Sequence, residues 1–131
     1  MNPYARTAIQ QYGQTSTASA IEAANPHRLI QMLLAGTLDK IAIAKGAMLR
    51  KDIAAKGENI GWAISIIDSL NASLNVEAGG ELAENLSALY EYMNHRLFLA
   101  NSRDDVLILD EVATLLHQIK AGWDGIAEQV Q

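Results

Sequence analysis

No proline follows Pro26, and from there on apolar residues recur at helical spacing in four successive stretches. A chain without that breaker, and with a period near 3.6, hides its apolar residues by packing helix on helix. The first stretch opens at Asn25-Pro26. Asn is a strong N-cap, and the missing N–H of Pro costs nothing in a first helical turn. Leu29, Ile30, Leu33, Thr37, Ile41, Ala44 and Met48 follow on one face, predicting a helix over residues 26–48. Ile53, Ile60, Ala63, Ile64, Ile67, Leu70 and Leu74 predict a second over 52–74, which Gly57 and Gly61 weaken by roughly 1 kcal/mol each.

Gly79-Gly80 then marks the clearest break and suits a tight connection with positive φ. Leu82, Leu86, Leu89, Tyr90, Met93, Leu97 and Ala100 predict a third helix over 81–101. "NSRDD" interrupts it, and Ser102 with Asp105 resembles a capping box. A fourth helix over 104–129 carries Ile108, Val112, Leu115, Leu116, Ile119, Trp123, Ile126 and Val130. Short connections between long amphipathic helices predict an all-α fold, an antiparallel up-down four-helix bundle. Residues 25–131 form the bundle domain, and residues 1–24, with the small polar run "QTSTASA", read as a flexible N-terminal tail. The length of 131 residues fits one domain.

Ten basic against fifteen acidic residues argue against nucleic acid and anionic membrane as main partners, since both call for a basic stripe. Without cysteine there is neither a disulfide framework nor a thiolate metal site. No apolar run approaches the roughly 18 residues of a membrane span. "MNPYARTAIQQYGQ" lacks the pattern of a secretory signal. A cytosolic protein with no membrane insertion is expected.

Catalytic and metal signatures do not assemble. Carboxylate-bridged metal sites in bundles use Glu-x-x-His pairs, and none of His27, His95 and His117 has Glu three residues before it. Glu91 and His95 lie off the apolar stripe and read as a solvated pair. "HQIKAG" is the sharper temptation, because a phosphotransfer bundle presents an exposed His one turn before a Lys and small residues. His117 fits that pattern, and it equally fits a polar residue on a solvated face. Nucleophile elbows and phosphate loops are missing, so no enzyme activity and no cofactor are expected. Asp104-Asp105 sits where a helix N-terminus favours acid groups.

What remains is an apolar surplus. Met32 and Ile43 lie off the inward face of the first helix, and Trp62 and Ile66 point away from that of the second, among serines. The third helix adds Phe98, far from its inward stripe, with Tyr92 and Leu99 at the border. Isolated apolar surface residues are ordinary, but the same excess on three helices predicts a partner-binding surface. Met and small residues suit grooves that receive a helix. In the tail, Ile9, Tyr12 and Ile21 can occupy apolar pockets of the same surface.

Four segments carry a family resemblance: "IEAANPHRLIQMLLAG" with Tyr12 upstream, "AISIIDSLNASLNVEAGGELAENL", "LYEYMNHRLFLAN" and "LDEVATLLHQIKAGW". In order and spacing they resemble the flagellar secretion chaperone family, FliS, over about residues 4–125. One departure is local. The family usually reads Met-Leu-Tyr, an acidic residue and Gly, whereas this chain reads Met32-Leu33-Leu34-Ala35-Gly36. The resemblance implies a helical bundle that binds the disordered C-terminal segment of flagellin in the cytosol and prevents premature polymerisation. It implies a client that wraps the bundle in extended and helical pieces, and contact with the export gate while client-bound. It further implies that the tail, with Tyr12 matching the family's tail tyrosine, covers part of the groove until the client arrives. The alternatives are a histidine phosphotransfer protein using His117 and a plain bundle whose surplus forms a weak homodimer.

Overall fold

The computed structural model describes residues 25–130; the tail expected over residues 1–24 lies outside them. The described residues form four helices and no strand: α1 (Pro26–Leu49), α2 (Ile53–Ala72), α3 (Val76–Arg103) and α4 (Val106–Val130). α1 packs against α2 and α4, and α3 packs against the same two, so the helices stand at the corners of a square. With short connections this is the expected up-down bundle.

The helix ends follow from local chemistry. Asn25 Oδ1 accepts from the backbone N–H groups of His27 at 3.0 Å and Arg28 at 3.4 Å, capping α1 ahead of Pro26. At the other end Lys51 turns left-handed, with φ 63°. Its N–H donates to Met48 O and the Asp52 N–H donates to Ala47 O, at 3.2 and 2.8 Å. This pair of bonds satisfies carbonyls of the last turn. Asp52 then caps α2 by accepting from the Ala55 N–H at 3.2 Å.

The α3–α4 turn repeats the device. Asp104 is left-handed (φ 52°), the Asp105 N–H donates to Ala100 O at 3.1 Å, and Asp105 Oδ1 accepts from the Leu107 N–H at 2.9 Å. The capping box expected between Ser102 and Asp105 is therefore not formed. Asp105 is the cap itself, while Ser102 Oγ bonds back to Leu99 O within α3. The two-glycine break is also displaced. α2 hands over to α3 through residues 73–75, and Gly80 (φ 55°, ψ −132°) kinks the start of α3. That conformation is open only to glycine.

The core is continuous through all four helices. Leu33, Leu34, Ile41, Ile60, Ile67, Leu70, Met93, Leu97, Leu109 and Leu116 are among its buried members. Each such side chain contributes about 1.5–3 kcal/mol through burial. Leu34 is fully buried. α1 and α2 share the broadest contact. Small residues, Gly36, Ala44 and Ala47 on α1 and Ala63 and Ser69 on α2, are among the buried ones of these two helices. Thr37, buried among them, satisfies its hydroxyl by donating to Leu33 O at 2.8 Å.

Among the described side chains three residues expected inward are not, and the side chain of Val130 lies outside those described. Ile53, Leu82 and Ile126 are exposed. Ile53 is the first residue of α2, Leu82 follows the kink at Gly80, and Ile126 lies in the last turns of α4. At such places the helix period runs on past the end of the packed face.

Candidate partner-binding surface

The apolar residues outside the core lie on different sides of the bundle, and polar contacts identify each side. Lys40 of α1 places its ammonium 5.9 Å from the ring centroid of Trp62 on α2. Trp62 is half-buried there, and exposed Ile43, three residues after Lys40, continues that α1–α2 side. Asn94 of α3 donates to Asp68 of α2 at 2.8 Å. Burial raises the Asp68 carboxyl above its ordinary range, and the Asn94 bond opposes this. Phe98, one turn past Asn94, is exposed on the α2–α3 side.

Across the bundle, Tyr92 and Arg96 of α3 both bond Glu111 of α4, each at 2.7 Å. Leu99, three residues after Arg96, is half-buried and packs on the core beneath that side. Met32 lines a shallow concavity between α1 and α4, of about 250 Å³, with Arg28, Gln31, Ala35, Lys120 and Asp124. There Asp124 accepts from Gln31 at 2.8 Å and from Lys120 at 2.7 Å. Those two bonds, Lys120 first, hold its carboxyl below the ordinary range.

Ile66 does not join this surface. It is fully buried, because the close α1–α2 contact extends the buried face of α2 round to it. Ile9, Tyr12 and Ile21 lie outside the described residues. Leu49 and Leu107, which periodicity did not single out, are both strongly exposed, at the end of the bundle that carries the two left-handed turns.

The chemical temptations fare differently. His117 is exposed, and Lys120, the cation that would serve a phosphorylated His117, is engaged by Asp124. Glu91 and His95 are both exposed and off the core, as a solvated pair would be. Among the described residues no group of three His, Cys, Asp or Glu side chains could hold a metal ion, and no helix is long and apolar enough to cross a membrane.

One further contact ties the start of α1 to α4. The Trp123 indole stacks on His27, with centroids 4.5 Å apart and planes 8° from parallel, and its Nε1–H donates to His27 O at 3.0 Å. This clasp fixes the start of α1 against α4.

A family profile described as "Flagellar protein FliS" matches residues 8–130. The flagellar secretion chaperone FliSB of Pseudomonas aeruginosa is 52% identical over 124 residues, covering 95% of this chain and 98% of the relative. The flagellar secretion chaperone FliS of Salmonella typhimurium is 43% identical over 125 residues, covering 95% and 93%. That of Bacillus subtilis is 35% identical over 122 residues, covering 93% and 84%. With the four-helix bundle and its apolar exterior, these matches show that the chain belongs to the FliS family of flagellar secretion chaperones.

Proposed function

We propose that this protein binds the disordered C-terminal segment of flagellin in the cytoplasm, keeps flagellin from polymerising early, and accompanies it to the export gate. No bond is made or broken, so the activity is binding rather than catalysis. The observation that carries this reading is the spread of the apolar surplus. Ile43 and Trp62, Phe98, Tyr92, and Met32 lie on four different sides of one bundle. A single helix docking in a single groove would use one side. A client that wraps would use several, and a segment that folds on binding buries roughly 1,000–3,000 Å².

Such an exterior is an aggregation liability when empty. Residues 1–24, through Ile9, Tyr12 and Ile21, act as a competing cover in this reading, leaving when the client arrives. The test is flagellin polymerisation followed by light scattering. Equimolar protein is expected to suppress growth of intact flagellin and to leave flagellin lacking its C-terminal segment unbound. Undiminished polymerisation at several-fold excess would defeat the reading.

A further inference from the structure

On the α3–α4 side, one aromatic ring is tethered in an exposed position. Tyr92 is 44% exposed, yet its hydroxyl donates to Glu111 Oε2 at 2.7 Å on the neighbouring helix. The other oxygen of the same carboxylate, Oε1, accepts from Arg96 Nε at 2.7 Å. Arg96 stands one turn after Tyr92, so a single carboxylate binds two side chains of one α3 face. The hydroxyl of Tyr92 and then the guanidinium of Arg96 hold the Glu111 carboxyl below its ordinary range, so it is ionised at neutral pH. Its charge and that of Arg96 cancel. Leu107, one turn before Glu111 and 75% exposed, extends the same side toward the end of the bundle.

Exposed ion pairs contribute little to folding. This one has another consequence. A free surface tyrosine samples several rotamers, and freezing this two-χ side chain on association costs at the low end of the range for side chains, roughly 2- to 4-fold in affinity. A ring already tethered avoids that loss. The benefit is greatest for a partner that must itself become ordered, and the exposed Tyr92 ring and Leu107 suit the apolar face of an amphipathic segment.

We propose that Glu111 and Arg96 are positioning residues that fix Tyr92 in advance as an anchor for the apolar face of the flagellin C-terminal segment. This rests on the client named under Proposed function. The test compares wild type, Tyr92→Phe, Glu111→Ala and the double variant by titration with that segment, alongside NMR relaxation of the Tyr92 ring in the free protein. Tyr92→Phe keeps the ring and cuts the tether. It and Glu111→Ala should each weaken binding about 2- to 4-fold and lower the thermal midpoint by no more than a few degrees, and the double variant should be no weaker than Glu111→Ala. In the free protein the Tyr92 side chain should be rigid in wild type and mobile in Glu111→Ala. Binding at wild-type affinity by both single variants, or additive losses in the double, would overturn the positioning role. Failure of wild type itself to bind, with the ring still rigid, would instead remove the client.

Discussion

The ammonium of Lys56, on the first turn of α2, is buried against the carboxylate of Asp104 in the turn after α3. It also donates to Asn101 O at 3.0 Å, satisfying a carbonyl at the end of α3. The start of α2 and the left-handed turn at Asp104 are thereby braced together at one end of the bundle. The partners are unequally placed, since the Lys56 side chain is 8% exposed and that of Asp104 is 66% exposed.

That inequality predicts an asymmetry. Asp104→Asn keeps the left-handed turn, which Asn tolerates, but leaves a buried ammonium without its counter-ion. It should cost about 1–3 kcal/mol in urea unfolding. Lys56→Met leaves a carboxylate that water can reach, and should cost less. A larger loss in Lys56→Met would show that the brace acts through packing alone.

Ile66 and Trp62 should separate stability from binding. Ile66→Ala empties a fully buried site and should cost about 2–5 kcal/mol of stability. Trp62→Ala should cost less stability and about 1–3 kcal/mol of client binding, as an anchor residue does. Thermal unfolding and calorimetry on both variants decide the matter. Equal destabilisation with unchanged client affinity would place Trp62 in the core.

Alkaline pH should report on Tyr90. Burial pushes its phenol up to about 12. The ordinary phenol of the unfolded chain ionises near pH 10, so the stability linked to the neutral folded form is fully present below that and is lost as pH rises through the folded value. Stability should decline by roughly 2–3 kcal/mol across this window in wild type, and Tyr90→Phe should lessen the decline. In absorbance titration one tyrosine should ionise last and vanish in that variant. Identical curves would contradict the assignment.

Removing the first 20 or so residues should leave the bundle folded and raise client affinity by about 1–2 kcal/mol, the free energy of displacing a docked cover. Tyr12→Ala should give part of that gain if Tyr12 only plugs a pocket, and a loss if it moves to the client. Equal affinities in intact, truncated and Tyr12→Ala proteins would rule out competition.

The start of α1 was legible in the sequence because its cap is local, whereas α3 begins at Val76, ahead of the two glycines, and Asp105 rather than Ser102 caps α4. Asn25-Pro26 acts where it stands. The left-handed Lys51 was not legible, since lysine carries no preference for that conformation. Ile66 was misplaced because the period of one helix assumes one buried face, whereas α2 meets both α1 and α3. Leu82 was assigned inward because the period runs on past the end of the packed face, just after the kink at Gly80. The Tyr92–Glu111–Arg96 cluster depends on the register between α3 and α4, which no single-helix pattern contains. Trp62, Tyr92 and Phe98 were visible as surplus, but their separation onto different sides required the neighbours.

Binding of a wrapped client is best measured by titrating the C-terminal segment of flagellin calorimetrically at several temperatures. Saturable binding is expected, with a negative heat-capacity change of the size that burial of roughly 1,000–3,000 Å² produces. Absence of saturable heat at every temperature, or an enthalpy that does not vary with temperature, would contradict a client ordered around the bundle.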